Sequence, residues 1–250
     1  MKRRIIALCC LFALVVSVFV GCTKGSAANE DPTADPKSAA ALSAYVVEKS
    51  GNEILVTSNE GLLFVSCDKV AIEKDGKELS FSDIKPGMTV KIGYDGAILE
   101  TYPGQIANTE TIKVISQEED KISLYKEAFE YIFDNREKLE NEKTIALDFS
   151  GITSLSDEQK NALEYVLSNY FRSKTDADII RSSYEELSNH GRIKDYYFKN
   201  GIILSATENK NGTFNISWWK SGLCASGFES CKAKMSGDKW KISYGDAWIS

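Results

Sequence analysis

The chain has 250 residues, 43% hydrophobic and 26% charged, which allows a sizeable core and excludes a chain disordered throughout. Lys and Arg number 30 against 36 Asp and Glu, a formal net charge of −6; if Lys2, Arg3 and Arg4 leave with a signal segment, 27 − 36 gives −9. Such an acidic balance repels nucleic acid and anionic lipid head groups alike, and it argues against nucleic acid as a partner.

Lys2, Arg3 and Arg4 precede an apolar run from Ile5 to Val20, and Phe19-Val20-Gly21-Cys22 closes it. A run of sixteen residues falls short of the roughly 20 a spanning helix needs, and a small residue before the junction is what signal peptides carry. The junction resembles the bacterial lipobox, with Phe19 where Leu is usual. The resemblance implies cleavage before Cys22 and a diacylglycerol on its thiol. The mature chain would then sit on the extracytoplasmic face of the cell membrane; an uncleaved anchor and a soluble secreted product are the alternatives. Residues 1–21 are accordingly expected to be a lipoprotein signal peptide. Residues 22–42, with Gly25, Ser26, Pro32 and Pro36 and no apolar period, are expected to be a disordered tether.

From Ser43 to Ser116 the apolar period is two: Ile54 and Val56, Val70 and Ile72, Met88, Val90 and Ile92, Ile112 and Val114. Turn signals separate these runs at Ser50-Gly51-Asn52, Asp75-Gly76 and Asp95-Gly96, and Lys85-Pro86-Gly87-Met88 fits a type II turn. About six short strands at this spacing predict a small all-β antiparallel barrel over 43–116, since closure removes exposed edges. The run Gly87, Val90, Ile92, Tyr94, Asp95, Gly96, Ile98, Glu100, Pro103, Gln105 and Ile106 resembles a small oligonucleotide-binding-like (OB-like) barrel of lipoproteins from low-GC Gram-positive bacteria. That resemblance implies a fold and a cell-surface setting, and no chemistry. Asp95 and Glu100 suggest a carboxylate pair, but Asp95-Gly96 is accounted for as a hairpin turn.

After the charged break at Gln117 to Asp120 the period becomes helical. Leu124, Ala128, Tyr131 and Ile132 line one face, Thr144 to Phe149 reads as a short strand, and Ser156-Asp-Glu-Gln159 is a capping box opening a second helix. Ser182-Ser-Tyr-Glu185 repeats that signature before a third helix, which Gly191 ends. Strands are expected at Ile202 to Ala206, Phe214 to Trp219, Lys232 to Met235 and Trp240 to Tyr244. Together these predict, over 121–250, an α+β domain with helices packed on an antiparallel sheet. The C-terminal run from Trp219 to Lys234 is similar to that of other uncharacterised Gram-positive lipoproteins.

No catalytic signature emerges. His190 is the only histidine and is explained as a cationic cap at a helix end. Cys224 and Cys231 with one distant histidine do not supply a four-ligand zinc site, and Asp176-Ala-Asp178 lacks the glycine and distal glutamate of a calcium loop. No catalytic residue, metal or cofactor is therefore expected. Cys224 and Cys231 are candidates for a disulfide around Gly227, or else two free thiols. Alternation along Phe214, Ile216 and Trp218 turns Trp219 to the other sheet face, making it a candidate ligand-facing ring unless the third helix covers it. The expected function is a membrane-anchored, non-catalytic module that binds an envelope ligand or a protein partner. An envelope hydrolase without a recognisable motif, and an inhibitory or structural lipoprotein, are the alternatives.

Overall fold

The computed structural model describes residues 39–137 and 142–250. The expected signal peptide, the expected acylation site at Cys22 and nearly all of the expected tether lie outside the described residues. The tether's expected end is too late, because Ala40, Ala41 and Leu42 already pair with Tyr94, Gly93 and Ile92, and Leu42 is buried.

Eight strands form the first sheet: β1 (Ala40–Ser50), β2 (Glu53–Ser58), β3 (Gly61–Ser66), β4 (Ala71–Lys74), β5 (Lys77–Leu79), β6 (Met88–Tyr94), β7 (Gly104–Ile106) and β8 (Thr109–Gln117). Their order is β5-β4-β8-β6-β1-β2-β3-β7, a curled sheet with two free edges. The pairs β3/β7 and β4/β8 are parallel. Leu42, Val46, Ile54, Val56, Val65, Val90, Ile92, Ile106 and Ile112 fill its concave side. Gly87 makes the predicted turn at φ 87°, where a Cβ would also stand 2.7 Å from the Glu118 carbonyl oxygen. That position therefore requires glycine on both counts.

The chain then forms α1 (Lys121–Asn135), β9 (Thr144–Gly151), α2 (Asp157–Arg172), β10 (Asp178–Arg181), α3 (Tyr184–Asn189), β11 (Gly201–Glu208), β12 (Phe214–Ser221), β13 (Cys224–Ser236), β14 (Lys239–Ser243) and β15 (Asp246–Ile249). Asp120 caps α1 by accepting from the Ser123 amide at 3.1 Å, and Ser156 with Gln159 makes the expected capping box on α2. The second sheet runs β10-β9-β11-β12-β13-β14, with β15 added beside β13. Here β9 pairs parallel with both β10 and β11, and the remaining pairs are antiparallel.

One apolar core joins the two sheets through the helices. Phe129, Ile132 and Phe133 of α1 and Leu163, Leu167 and Phe171 of α2 share it with Tyr45, Val47, Leu55 and Leu62 of the first sheet. Ile145, Leu204, Ile216 and Trp218 of the second sheet complete it. Thr57 donates its hydroxyl to the Glu158 carbonyl at 3.0 Å, tying β2 to the first turn of α2.

Two expectations about fold class are overturned. The first sheet is mixed and unclosed, so it is a half-barrel and not an OB-like antiparallel barrel. The C-terminal half is not an α+β domain of helices packed on an antiparallel sheet. The molecule is predominantly β, with only three α-helices among fifteen strands in the described residues, and its second sheet contains a parallel section. The physical reason lies in the strands: β1, β2 and β3 carry apolar residues on both faces, so the first sheet needs cover on its outer side as well.

Candidate functional site

The strongest candidate site follows from how the chain leaves two adjacent parallel strands. From β9 it enters α2 on the sheet face that looks toward the first sheet, where Ile145 and Leu147 join the shared core. From β10 it enters α3 on the opposite face, where Ala146, Ile203 and Leu187 form a small separate cluster with Ile193 and Phe198. Connections that diverge to opposite faces leave the carboxyl ends of the strands uncovered, and a crevice opens there.

That crevice encloses about 250 Å³. Asp148 and Ser150 come from the end of β9, Asp157 and Lys160 from the first turn of α2, Arg181 from β10, and Ser183 and Glu186 from the start of α3. Arg181 is held by α2, donating to Asn161 Oδ1 at 2.7 Å with Glu164 3.5 Å from its Nε. Asp148 accepts from the Ser150 amide at 2.9 Å and from its hydroxyl at 2.6 Å. Glu186 accepts from the Ser183 amide at 2.8 Å, and this bond with the Ser183 and Ser182 hydroxyls holds its carboxyl below the usual range. Asp157 and Lys160 make no ion pair among the described residues. The crevice thus offers both signs of charge, and two of its charged groups are free to meet a ligand.

A second cleft of about 390 Å³ has aromatic walls, Tyr125, Phe214 and Trp240. Its carboxylate, Glu208, is a hub. It accepts from Tyr125 Oη at 2.6 Å, from the Thr153 hydroxyl at 2.6 Å and amide at 3.0 Å, from the Ser154 amide at 3.0 Å and from the Ser154 hydroxyl. Burial alone would raise this carboxyl, but the donors outweigh it and bring it down to about 2. Tyr125 is pushed the other way, by burial first and then by its bond to Glu208. Both groups are fixed in one protonation state near neutrality, which suits a clamp between strand end and loop.

The residues singled out from sequence fall elsewhere. Trp219 does turn away from Trp218, as alternation requires, but it is half-buried, 4.9 Å edge-on to Tyr184 of α3 and packed on the Leu187 cluster. The third helix covers it, and it is not an open ligand-facing ring. Cys224 and Cys231 are free, as is Cys67. They lie seven residues apart on the single strand β13, which at about 3.3 Å per residue separates them by roughly 20 Å, far beyond the reach of a bridge. The expected turn between them is strand, so the disulfide is ruled out. Alkylation should show it: under native non-reducing conditions the half-exposed Cys224 reacts. Cys231 and Cys67, the latter thiol pushed by burial up to about 12, react only after unfolding. Equal protection of Cys224 and Cys231, lifted by reductant, would contradict this. His190 caps α3, its Nδ1 2.7 Å from the Glu186 carbonyl. Among the described residues no group of three or more His, Cys, Asp or Glu is placed to hold a metal, and no helix is long and apolar enough to cross a membrane.

Sequence reasoning missed the crevice because it missed β10. Asp178-Ile-Ile-Arg181 falls between the expected second and third helices, where the sequence pattern places no strand. The available signal was a strand followed by a capping box, met twice, at Thr144 to Gln159 and at Asp178 to Glu186, where Ser183 and not Ser182 is the cap.

Fold and site together define a predominantly β protein with a polar ligand-sized crevice at a parallel-strand switch point. No known protein family, curated protein or solved structure matches the chain.

Proposed function

We propose that the chain is a non-catalytic binding module of the cell envelope, anchored through Cys22 to the extracytoplasmic face of the membrane. Its crevice between β9, α2 and α3 would take a small polar ligand that carries both charges. One observation carries the ligand class: Lys160 and Asp157, without an ion pair among the described residues, line a 250 Å³ crevice together with Arg181 and Asp148. An unpaired cation and an unpaired carboxylate in one crevice complement a zwitterion, such as an amino acid or short peptide. The anchor is supported by the short apolar run and the small-residue-then-cysteine junction. It agrees with the cell-surface setting implied by the resemblance around Tyr94-Asp95-Gly96. A hydrolase would want an acid and a base that can exchange a proton near neutral pH. Glu186 is held ionised, and the Tyr125 and Glu208 pair is fixed away from neutrality.

The test has two arms. Thermal melting in a panel of amino acids, dipeptides and neutral sugars should show stabilisation by one or more zwitterions. Lys160→Gln and Asp157→Asn should each abolish the shift while leaving the melting temperature of the free protein nearly unchanged. A response to neutral sugars alone, or one that survives both substitutions, overturns the crevice as the site. Separately, cells fed a clickable fatty acid should label the wild type and not Cys22→Ala; equal labelling of the two removes the anchor.

A further inference from the structure

The ribbon of β13 and β14 pairs Lys232 with Ser243, Lys234 with Lys241 and Ser236 with Lys239. Directly opposed residues share a face of a ribbon, so Lys232, Lys234, Lys239 and Lys241 all project from one side, and all four are exposed. The other side is fixed against the core by Ala233, Trp240 and Ile242, with the Trp240 indole donating to the Asp120 carbonyl at 2.7 Å. The lysine face therefore has one outward direction. At about 3.4 Å per residue the four lysines occupy a strip roughly 14 Å long and one strand spacing wide.

Little in the described residues offsets this strip. None of the four lysines makes an ion pair among the described residues. The aspartate at the ribbon's turn, Asp238, is taken by Lys85 at 2.8 Å, and Glu127 of α1 feels Lys239 without an ion pair. Lys234 stands directly opposite Lys241, an arrangement that weakens a ribbon by itself. The chain around it is acidic, so the strip is a local reversal of sign. A flat row of ammonium groups complements an extended plane of negative charge.

We infer that this face docks the folded body onto an anionic lipid bilayer and so sets its orientation there. The inference rests on the proposed anchor at Cys22. The seventeen residues from Thr23 to Ala39 reach at most roughly 60 Å even when fully extended. An anchored body is held near the headgroups, where four weak charge contacts act together at high effective concentration.

The test reads the lysines themselves. The full chain is mixed with vesicles of phosphatidylcholine alone, or of phosphatidylcholine and phosphatidylglycerol in equal amounts, then briefly acetylated with a lysine reagent and mapped by mass. Flotation with the vesicles is scored separately. Lys232, Lys234, Lys239 and Lys241 should be protected about fivefold or more by the anionic vesicles at low salt, and not by the neutral ones or at high salt. The exposed Lys77 and Lys210 should stay equally reactive throughout. Replacing all four lysines with Gln should leave flotation intact while removing the preference for anionic vesicles in the reactivity of neighbouring Lys85. Unchanged reactivity of the four lysines on anionic vesicles that do float the protein overturns the docking face and spares the anchor. Loss of flotation with protection retained overturns the anchor and spares the face. Equal protection by soluble polyphosphate without vesicles overturns the bilayer as the occupant.

Discussion

Phe129→Ala should lower the stability of the entire chain by about 3 to 5 kcal/mol, and the two sheets should still melt together. Phe129 is fully buried at the middle of α1, stacked edge-on to Phe149 of β9 at 5.4 Å. Its ring lies in the core that also holds Leu55 and Leu62 of the first sheet. Truncation removes the transfer energy of a large ring and leaves a cavity that a helix held on both sides closes poorly. Two probes separate the halves. All four tryptophans, at 218, 219, 240 and 248, report on the second sheet, whereas hydrogen exchange in β1, β2 and β3 reports on the first. Coincident urea transitions shifted by the same amount are expected. A shift seen by fluorescence alone would mean that the two cores unfold independently.

Glu208→Gln should cost about 2 to 3 kcal/mol at neutral pH, because charge-assisted bonds from Tyr125, Thr153 and Ser154 are weakened together and the Tyr125 hydroxyl is left in a poorer partnership inside the protein. Part of that cost is screened, since the carboxylate is half-exposed. The pH profile gives the sharper readout. The folded carboxyl lies at about 2 against an ordinary 4.5, so its contribution is full above pH 4.5 and is lost as pH falls from there toward 2. Wild-type stability should therefore drop across that window more steeply than that of the Gln variant. Parallel profiles would show that the hub carries no net stabilisation.

What could be read from the sequence depended on how many neighbours each element has. The capping boxes at Ser156 and near Ser183, the turn at Pro86-Gly87 and the apolar stripe of α1 are local signals, and they stand where the pattern puts them. The wrong fold class came from treating strands as half-buried. Leu55 between Ile54 and Val56, and Leu62 beside Leu63, interrupt a strict alternation. Those interruptions are the mark of strands covered on both sides. The disulfide failed for a related reason: Gly222 to Phe228 is rich in turn formers, yet pairing with β12 and β15 pulls Cys224 to Phe228 straight. The crevice was the least legible part. Asp157, Lys160 and Arg181 are ordinary surface residues until two parallel strands bring them to one end of a sheet.

The cover of the first sheet comes late in the chain. Tyr45, Val47, Leu55 and Leu62 form an oily outer face whose partners run from Ile122 to Phe171. A polypeptide delivered N-terminus first must carry that face bare for about 110 residues of synthesis, roughly 5 to 20 s at the usual pace. Folding of the early half in step with delivery would strand a sticky surface in water. Whatever receives the nascent chain must therefore hold it open, or shield it, until the second helix has emerged.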